Sequence, residues 1–152
     1  MSPLFSIIIP TFNSQKTIKR CIDSVQFQTF KDFEIIVVDN YSTDDTIQII
    51  RTYDNIKIYQ EKNNGIIAHS RNVGIKVSSG KWICFLDSDD WWEKHKLEKV
   101  ALHTEGNDFI YHPLMLKYGK FNIIGFNRII GRQCMNSQIV DDILDMIDKN
   151  RK

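Results

Sequence analysis

The chain has 152 residues, which suffices for one domain with a buried core. Hydrophobic residues make up 42% and charged residues 26%, as in an ordinary globular protein rather than a disordered or membrane-spanning one. The formal net charge of +1 argues against nucleic acid as a partner.

Short apolar runs rich in β-branched residues predict buried strands in the first part of the chain. The predicted strands cover residues 5–9, 34–38, 56–58 and 82–86. Apolar residues with the spacing of a helix occur between these strands and after the fourth one. The first helix has Ser14 as its N-cap and Ile18, Cys21, Ile22 and Val25 on one face.

The second helix is capped by Ser42 or Thr43 and has Asp44 and Asp45 in its first turn. A third helix covers residues 67–77, with Gly80 placed to end it, and a fourth contains Leu97. Residues 109–118 and 121–126 are predicted as strands, and residues 140–147 as a final helix. Strands alternating with helices imply right-handed crossovers, so we expect a single α/β domain with a mostly parallel sheet flanked by helices.

The three cysteines are Cys21, Cys84 and Cys134, and no pair has metal-ligand spacing. We expect buried, reduced thiols of an intracellular protein. The start lacks the features of a signal peptide, and no apolar stretch reaches the about 20 residues of a membrane span. These features predict a cytoplasmic protein, with peripheral attachment to a membrane left open.

Three of the predicted strands run directly into polar residues. The first is followed by Thr11, Phe12 and Asn13, the second by Asp39 and Asn40, and the fourth by the segment 87–90. Ligands of open parallel sheets bind beyond the carboxyl ends of the strands, so we expect these segments to meet in one crevice.

The segment 87–90, Asp-Ser-Asp-Asp, concentrates carboxylates that repel one another unless a cation or a proton compensates. Oxygen ligands suit Mn²⁺ or Mg²⁺ shared with substrate phosphates, and such an ion can neutralise a departing diphosphate. Asp89 and Asp90 could instead be first-turn residues of the helix that contains Leu97. Neither a phosphate loop ending in Lys-Ser/Thr nor a G-x-G-x-x-G is present, which disfavours an ATPase or a dehydrogenase.

Several segments together resemble family 2 glycosyltransferases of the GT-A fold. They are SIIIPTFN at residues 6–13, EIIVVDNYSTD at 34–44, NG at 64–65 with SRNVG at 70–74, and FLDSDD at 85–90. The resemblance covers roughly residues 4–100 and keeps the family's order and spacing. It implies a nucleotide-sugar-binding part at 1–106 and a partial acceptor-side part at 107–152.

The resemblance also implies a reaction. A sugar would pass from a nucleoside-diphosphate donor to an acceptor hydroxyl, with inversion at the anomeric carbon and a divalent metal. The donor site would contain Pro10, Thr11, Phe12, Asn13, Asp39, Asn40, Arg71, Asp87 and Ser88. Phe12 would pack near the base, which Asp39 and Asn40 would read, and Asp89 would ligate the metal beside Asp90.

Two departures from the family pattern matter. The family commonly has Asp-Asp where this chain has Asp39-Asn40, so uridine is the expected base while thymidine and guanosine remain open. Family members also continue past this length, and the added part supplies the acceptor site and a carboxylate base. The acceptor could be a glycan, a lipid or a protein.

The catalytic base is therefore unknown. Asp141 and Asp142 are weak candidates, because they also fit as first-turn residues of the final helix. His112 is a further candidate, although a lone histidine in a strand is more often structural. Trp91 and Trp92 could form a sugar platform or anchor the helix that follows. The alternatives are a truncated, non-catalytic nucleotide-binding or protein-interaction module, or a domain excised from a longer enzyme; strands after residue 107 could also pair between copies in a homo-oligomer.

Overall fold

The computed structural model describes the backbone of residues 1–118 and 121–132 and the side chains of residues 1–110. In chain order the elements are β1 (Phe5–Thr11), α1 (Ile18–Gln26), β2 (Phe33–Asp39), α2 (Thr46–Ile50), β3 (Ile56–Gln60), α3 (Ile67–Val77), β4 (Trp82–Phe85), α4 (Lys96–Ala101), β5 (Phe109–Tyr118) and β6 (Phe121–Arg132). The predicted alternation of strands and helices is confirmed. The predicted final helix lies outside the described residues, and so do Asp141 and Asp142.

The strands form one sheet in the order β3-β2-β1-β4-β6-β5. The first four strands are parallel, and β6 runs antiparallel to both β4 and β5. The mostly parallel α/β fold is therefore confirmed. Strand β6 is longer than predicted, because its residues 127–131 still pair with β5 and its residues 130–132 pair with β4.

Strand β1 is buried on both faces because helices cover the sheet from both sides. On one face Phe5, Ile7 and Ile9 join a core cluster with apolar residues of α1, α2 and α4. On the other face Ile8 meets α3 at Gly74, where an added Cβ would lie 2.4 Å from the Ile8 side chain. Among the described residues no helix is long and apolar enough to cross a membrane.

Cys21 and Cys84 are buried free thiols, as predicted, while Cys134 lies outside the described residues. Burial raises the pKa of the Cys84 thiol to about 12. This thiol therefore stays protonated and packs as a small apolar group.

The predicted starts of α1 and α2 are wrong. Helix α1 begins at Ile18, after a turn in which the Ser14 carbonyl accepts from the N–H groups of Thr17 and Ile18. Helix α2 begins at Thr46, whose N–H donates to Asp44, so Asp44 precedes the helix. The hydroxyls expected to cap these helices have other partners, which are Ser88 for Ser14, Asp39 for Ser42 and Asn13 for Thr43.

Two further local predictions from the sequence are wrong. Asp89 and Asp90 are not first-turn residues of α4, since that helix begins at Lys96. Gly80 does not end α3, which stops at Val77. Its lack of a side chain serves a close approach, because an added Cβ would lie 2.6 Å from the Ser6 backbone nitrogen.

The carboxylate of Glu34 ties together three segments at the amino ends of the strands. It accepts from the Ser6 hydroxyl on β1, from the backbone N–H of Ser79 (2.6 Å) and of Gly80 (3.2 Å), and from Lys57 Nζ on β3 (2.7 Å). Partial burial opposes ionisation, but the hydrogen bonds from Lys57, Ser6 and Ser79 outweigh it and lower the pKa of Glu34 to about 2.

Because the folded-state pKa lies below the ordinary value of 4.5, ionised Glu34 stabilises the fold above about pH 4.5, and this contribution is lost as pH falls towards 2. We expect Glu34→Gln to lower the free energy of unfolding at pH 7 by on the order of 3 kcal/mol. Below pH 5 the difference from wild type should shrink. Urea titrations at several pH values measure this, with the exposed Glu105→Gln as control; a pH-independent difference would contradict the assignment.

Gly80→Ala places its new Cβ against backbone atoms of Phe5 and Ser6, which cannot rotate away. Strand β1 and the turn before β4 must then separate, and we expect a loss of about 1–3 kcal/mol of stability. Lys81→Ala, at the exposed neighbouring position, should change the unfolding midpoint little. Equal midpoints for the two variants would show that the close approach is not required.

Candidate functional site

A cleft of about 750 Å³ opens at the carboxyl ends of β1, β2 and β4. Its walls are formed by Pro10, Thr11, Phe12, Asn13, Ser14, Gln15, Lys16, Thr17, Asn40, Asp44, Asn63, Gly65, Ile67, Asp87, Ser88 and Asp89. The three polar segments that follow the strands therefore meet, as the parallel topology predicted. Asp39 and Arg71, both expected at the site, do not line the cleft.

The end of β1 presents an unpaired hydroxyl and an exposed ring. Thr11 is only 5% exposed, and its Oγ1 has no hydrogen-bond partner among the described residues. Phe12 follows with 55% of its surface exposed. Asn13 has a positive φ of 48° and joins the two loops, accepting from Thr43 N–H at 2.9 Å. This wall thus offers an exposed aromatic face, while the buried Thr11 hydroxyl next to it has no partner among the described residues.

At the end of β2, Asn40 lines the cleft, whereas Asp39 is buried. The Asp39 side chain is fully buried, and its oxygens accept from the backbone N–H and the hydroxyl of Ser42 and from Gln60 Nε2 at 3.1 Å. Asn40 lines the cleft, and its Oδ1 accepts from Asn63 N–H at 3.0 Å. In this arrangement Asp39 fixes the turn at Ser42, while Asn40 faces the space.

The turn after β4 contains the predicted acidic segment. Asp87 Oδ1 accepts from Arg71 Nη2 at 2.8 Å, and both side chains are largely buried. Arg71 also places its guanidinium 5.6 Å from the centre of the Phe85 ring, and its Nε is buried without a partner among the described residues. Arg71 therefore supports Asp87 from behind and offsets its negative charge.

Ser88 and Asp89 complete this turn. The Ser88 hydroxyl lies 2.8 Å from the hydroxyl of Ser14, which explains why Ser14 does not cap α1. Asp89 is exposed in the cleft, and its main-chain carbonyl accepts from Arg20 Nη2 at 2.9 Å. The N–H of Asp90 donates to the Asp87 carbonyl at 3.0 Å and closes the turn.

The oxygen ligands in this cleft suit a metal ion that is shared with substrate phosphates better than a metal ion held by protein side chains alone. No group of three or more His, Cys, Asp or Glu side chains that could hold a metal occurs in the described part of the chain. Asp87 and Asp89 nevertheless bring two carboxylates to one turn. Mg²⁺ and Mn²⁺ are commonly held by one or two carboxylates together with substrate phosphates and water.

Several residues of the cleft were not identified from the sequence. Lys16 provides the only basic side chain among the described residues that line it, and Ile67 provides an apolar side chain at the start of α3. Asp44 accepts from the Gln15 N–H at 3.1 Å and so joins the first two loops. The signal for Lys16 was its place three residues after Asn13, in the loop that must pass the strand ends before α1 begins.

The two tryptophans have separate roles. Trp92 is buried, and its backbone N–H donates to the Ser24 hydroxyl at 3.1 Å. This residue therefore anchors the segment before α4. Trp91 has the Arg20 guanidinium 4.0 Å from its ring centre. Neither lines the cleft. The side chain of His112 lies outside the described residues.

Comparisons with curated proteins identify related sequences. Poly(ribitol-phosphate) beta-N-acetylglucosaminyltransferase TarS of Staphylococcus aureus (strain Mu50) is 42% identical over 103 residues, covering 64% of this chain and 18% of TarS. UDP-Glc:alpha-D-GlcNAc-diphosphoundecaprenol beta-1,3-glucosyltransferase WfgD of Escherichia coli is 36% identical over 132 residues, covering 85% of this chain and 50% of WfgD. The chain thus spans between 18% and 50% of the length of these relatives.

Comparison with solved structures finds similarity to glycosyltransferases as well. TarS 1-349 of S. aureus in complex with UDP-GlcNAc matches with a TM-score of 0.63 and 37% identity, over 72% of this chain and 33% of that one. Mannosyltransferase PcManGT from Pyrobaculum calidifontis, in complex with GDP-Man and Mn²⁺, is 23% identical with a TM-score of 0.62, over 70% of this chain and 33% of that one, and supports the fold alone. The sequence model described as Glycosyl transferase family 2 matches residues 6–140. The chain is therefore a member of glycosyltransferase family 2 with the GT-A fold.

Proposed function

We propose that this chain forms the donor-binding part of an inverting glycosyltransferase that uses a UDP-sugar and a divalent cation. The observation that carries the proposal is a single cleft with two chemically different ends. One end offers Thr11, Phe12 and Asn40, and the other offers Asp87 and Asp89. A nucleoside diphosphate needs both kinds of contact, a planar and polar one for the base and one that accommodates phosphate charge.

The nucleoside would lie at the end formed by β1 and β2. The exposed Phe12 ring suits packing against a base. The Asn40 amide can both donate and accept. Asp39 supports the base site by holding the Ser42 turn in place. The UDP and UDP-GlcNAc complexes of TarS favour uridine over thymidine and guanosine as the base.

The diphosphate would lie between the Lys16 loop and the acidic turn. Because Arg71 offsets the charge of Asp87, the exposed Asp89 is the carboxylate most available to a cation. Mn²⁺ or Mg²⁺ held there would neutralise charge on the diphosphate leaving group. Lys16 would approach the phosphates, while Asp87 would accept hydrogen bonds from ribose or sugar hydroxyls and Ser88 would donate or accept them.

UDP and Mn²⁺ together should raise the melting temperature of the chain by several degrees, and much less when added separately, because each completes the other's contacts. Asp89→Asn should remove this joint effect and retain the small effect of UDP alone. The matched control is Asp54→Asn, at an exposed position before β3 and away from the cleft. Wild-type protein that is indifferent to both ligands at millimolar concentration would refute the proposal.

Catalysis by this chain is a separate question, because the chain spans only part of its relatives. The alternative is a non-catalytic nucleotide-binding or protein-interaction module. If the site is catalytically competent, the chain should slowly release UDP from UDP-GlcNAc or UDP-Glc, and Asp89→Asn should abolish that release. Asp141→Asn and Asp142→Asn should lower release without weakening UDP binding if either residue is the base. Binding without release from any UDP-sugar would favour the module.

A further inference from the structure

We propose that Arg20 is a positioning residue for Asp89 and thereby sets the affinity of the cleft for a divalent cation. The inference rests on the proposed function, in which Asp89 meets that cation. Arg20 lies on α1 and does not line the cleft. Its Nη2 donates to the Asp89 main-chain carbonyl at 2.9 Å, and its guanidinium carbon is 4.0 Å from the centre of the Trp91 ring.

These two contacts act on the same short stretch of backbone. Residues 86–95 separate β4 from α4 without regular structure, so no ladder of backbone hydrogen bonds orients Asp89. A hydrogen bond from a charged donor to its carbonyl restrains the peptide plane and hence the orientation of the Asp89 Cα–Cβ bond, from which the carboxylate extends. The Trp91 ring holds the planar guanidinium from one side, which keeps the donor aimed at that carbonyl.

Helix α1 holds the rest of the segment by other side chains. Cys21 Sγ donates to the Asp87 carbonyl at 3.5 Å, and the Ser24 hydroxyl accepts from Trp92 N–H at 3.1 Å. The fully buried Gln28 donates to the Glu93 carbonyl at 2.8 Å and accepts from Leu97 N–H at 2.9 Å. Among these contacts of α1 with the segment, the one made by Arg20 reaches Asp89 itself.

Burial separates the roles of Arg20 and Gln28. Gln28 uses its amide inside the protein, so its removal leaves buried backbone groups without partners and lowers stability. Arg20 is exposed, so its removal costs little folding energy while it releases the Asp89 carbonyl. Groups that orient a metal ligand without touching the metal typically change metal affinity 10–100-fold.

The test is a titration of the full chain with Mn²⁺ at saturating UDP, in which free Mn²⁺ is counted by electron paramagnetic resonance. We expect Arg20→Ala to bind Mn²⁺ at least about tenfold more weakly than wild type. Its affinity for UDP alone and its ligand-free melting temperature should stay near the wild-type values. Arg20→Lys should recover only part of the affinity, because an ammonium cannot both lie flat on Trp91 and keep the directed hydrogen bond.

Gln28→Ala is the structural control, and we expect it to lower the melting temperature and to leave the Mn²⁺ affinity of the folded protein unchanged. If that variant does not fold, Ser24→Ala replaces it, since it removes the hydrogen bonds of the Ser24 hydroxyl to the Trp92 backbone N–H and to the Cys21 carbonyl, and neither of these involves Asp89. Wild-type affinity in Arg20→Ala would overturn the inference while the proposed function stands. Equal weakening of UDP alone and of Mn²⁺ would also overturn it. Wild-type protein that retains no Mn²⁺ with UDP would overturn the proposed function and this inference together.

Discussion

The carboxylate of Glu34 is the interaction on which the arrangement of the strand ends depends. It joins β1, β3 and the turn before β4 at the amino edge of the sheet, beside the register pair Ser6↔Glu34. The same register pairs Thr11 with Asp39 at the opposite edge. Because side chains alternate along a strand, a slip of one residue would turn the buried face outward and move these ends apart. A polar group distant from the cleft thus helps to determine which residues form it.

The charged side chains of the cleft differ between its two ends. Arg71 forms an ion pair with Asp87, and Asp89 is left as an exposed carboxylate in the cleft that Lys16 also lines. At the other end the Asp39 carboxylate accepts from Ser42 and Gln60, and the Asn40 amide lines the cleft. Acidic residues that look alike in the sequence therefore have different roles, because their neighbours in the fold differ.

Apolar patterns predicted the strands, most helices and the convergence of Thr11, Asn40 and Asp89 in one cleft, because a parallel sheet brings its carboxyl ends together whatever the loops do. The direction of individual side chains could not be predicted. The Asp39 side chain is buried because it accepts hydrogen bonds from Ser42 and Gln60. Ser14 does not cap α1 because its hydroxyl pairs with that of Ser88, which is distant in the sequence. Local capping rules do not include such long-range partners, and the cleft-facing position of Lys16 likewise depends on how the first loop closes.

Helix α1 links stability to the geometry of the cleft. Its apolar face supplies Ile18 and Val25 to the core, and its polar side chains hold the segment that contains Asp89. The buried contact of Gln28 cannot vary without cost to folding, since it satisfies backbone groups that are removed from water. The exposed contact of Arg20 with Asp89 and Trp91 can vary, because water replaces what is lost. Among the described contacts of α1, this outer one is therefore where the fold can adjust the acidic turn without loosening the core.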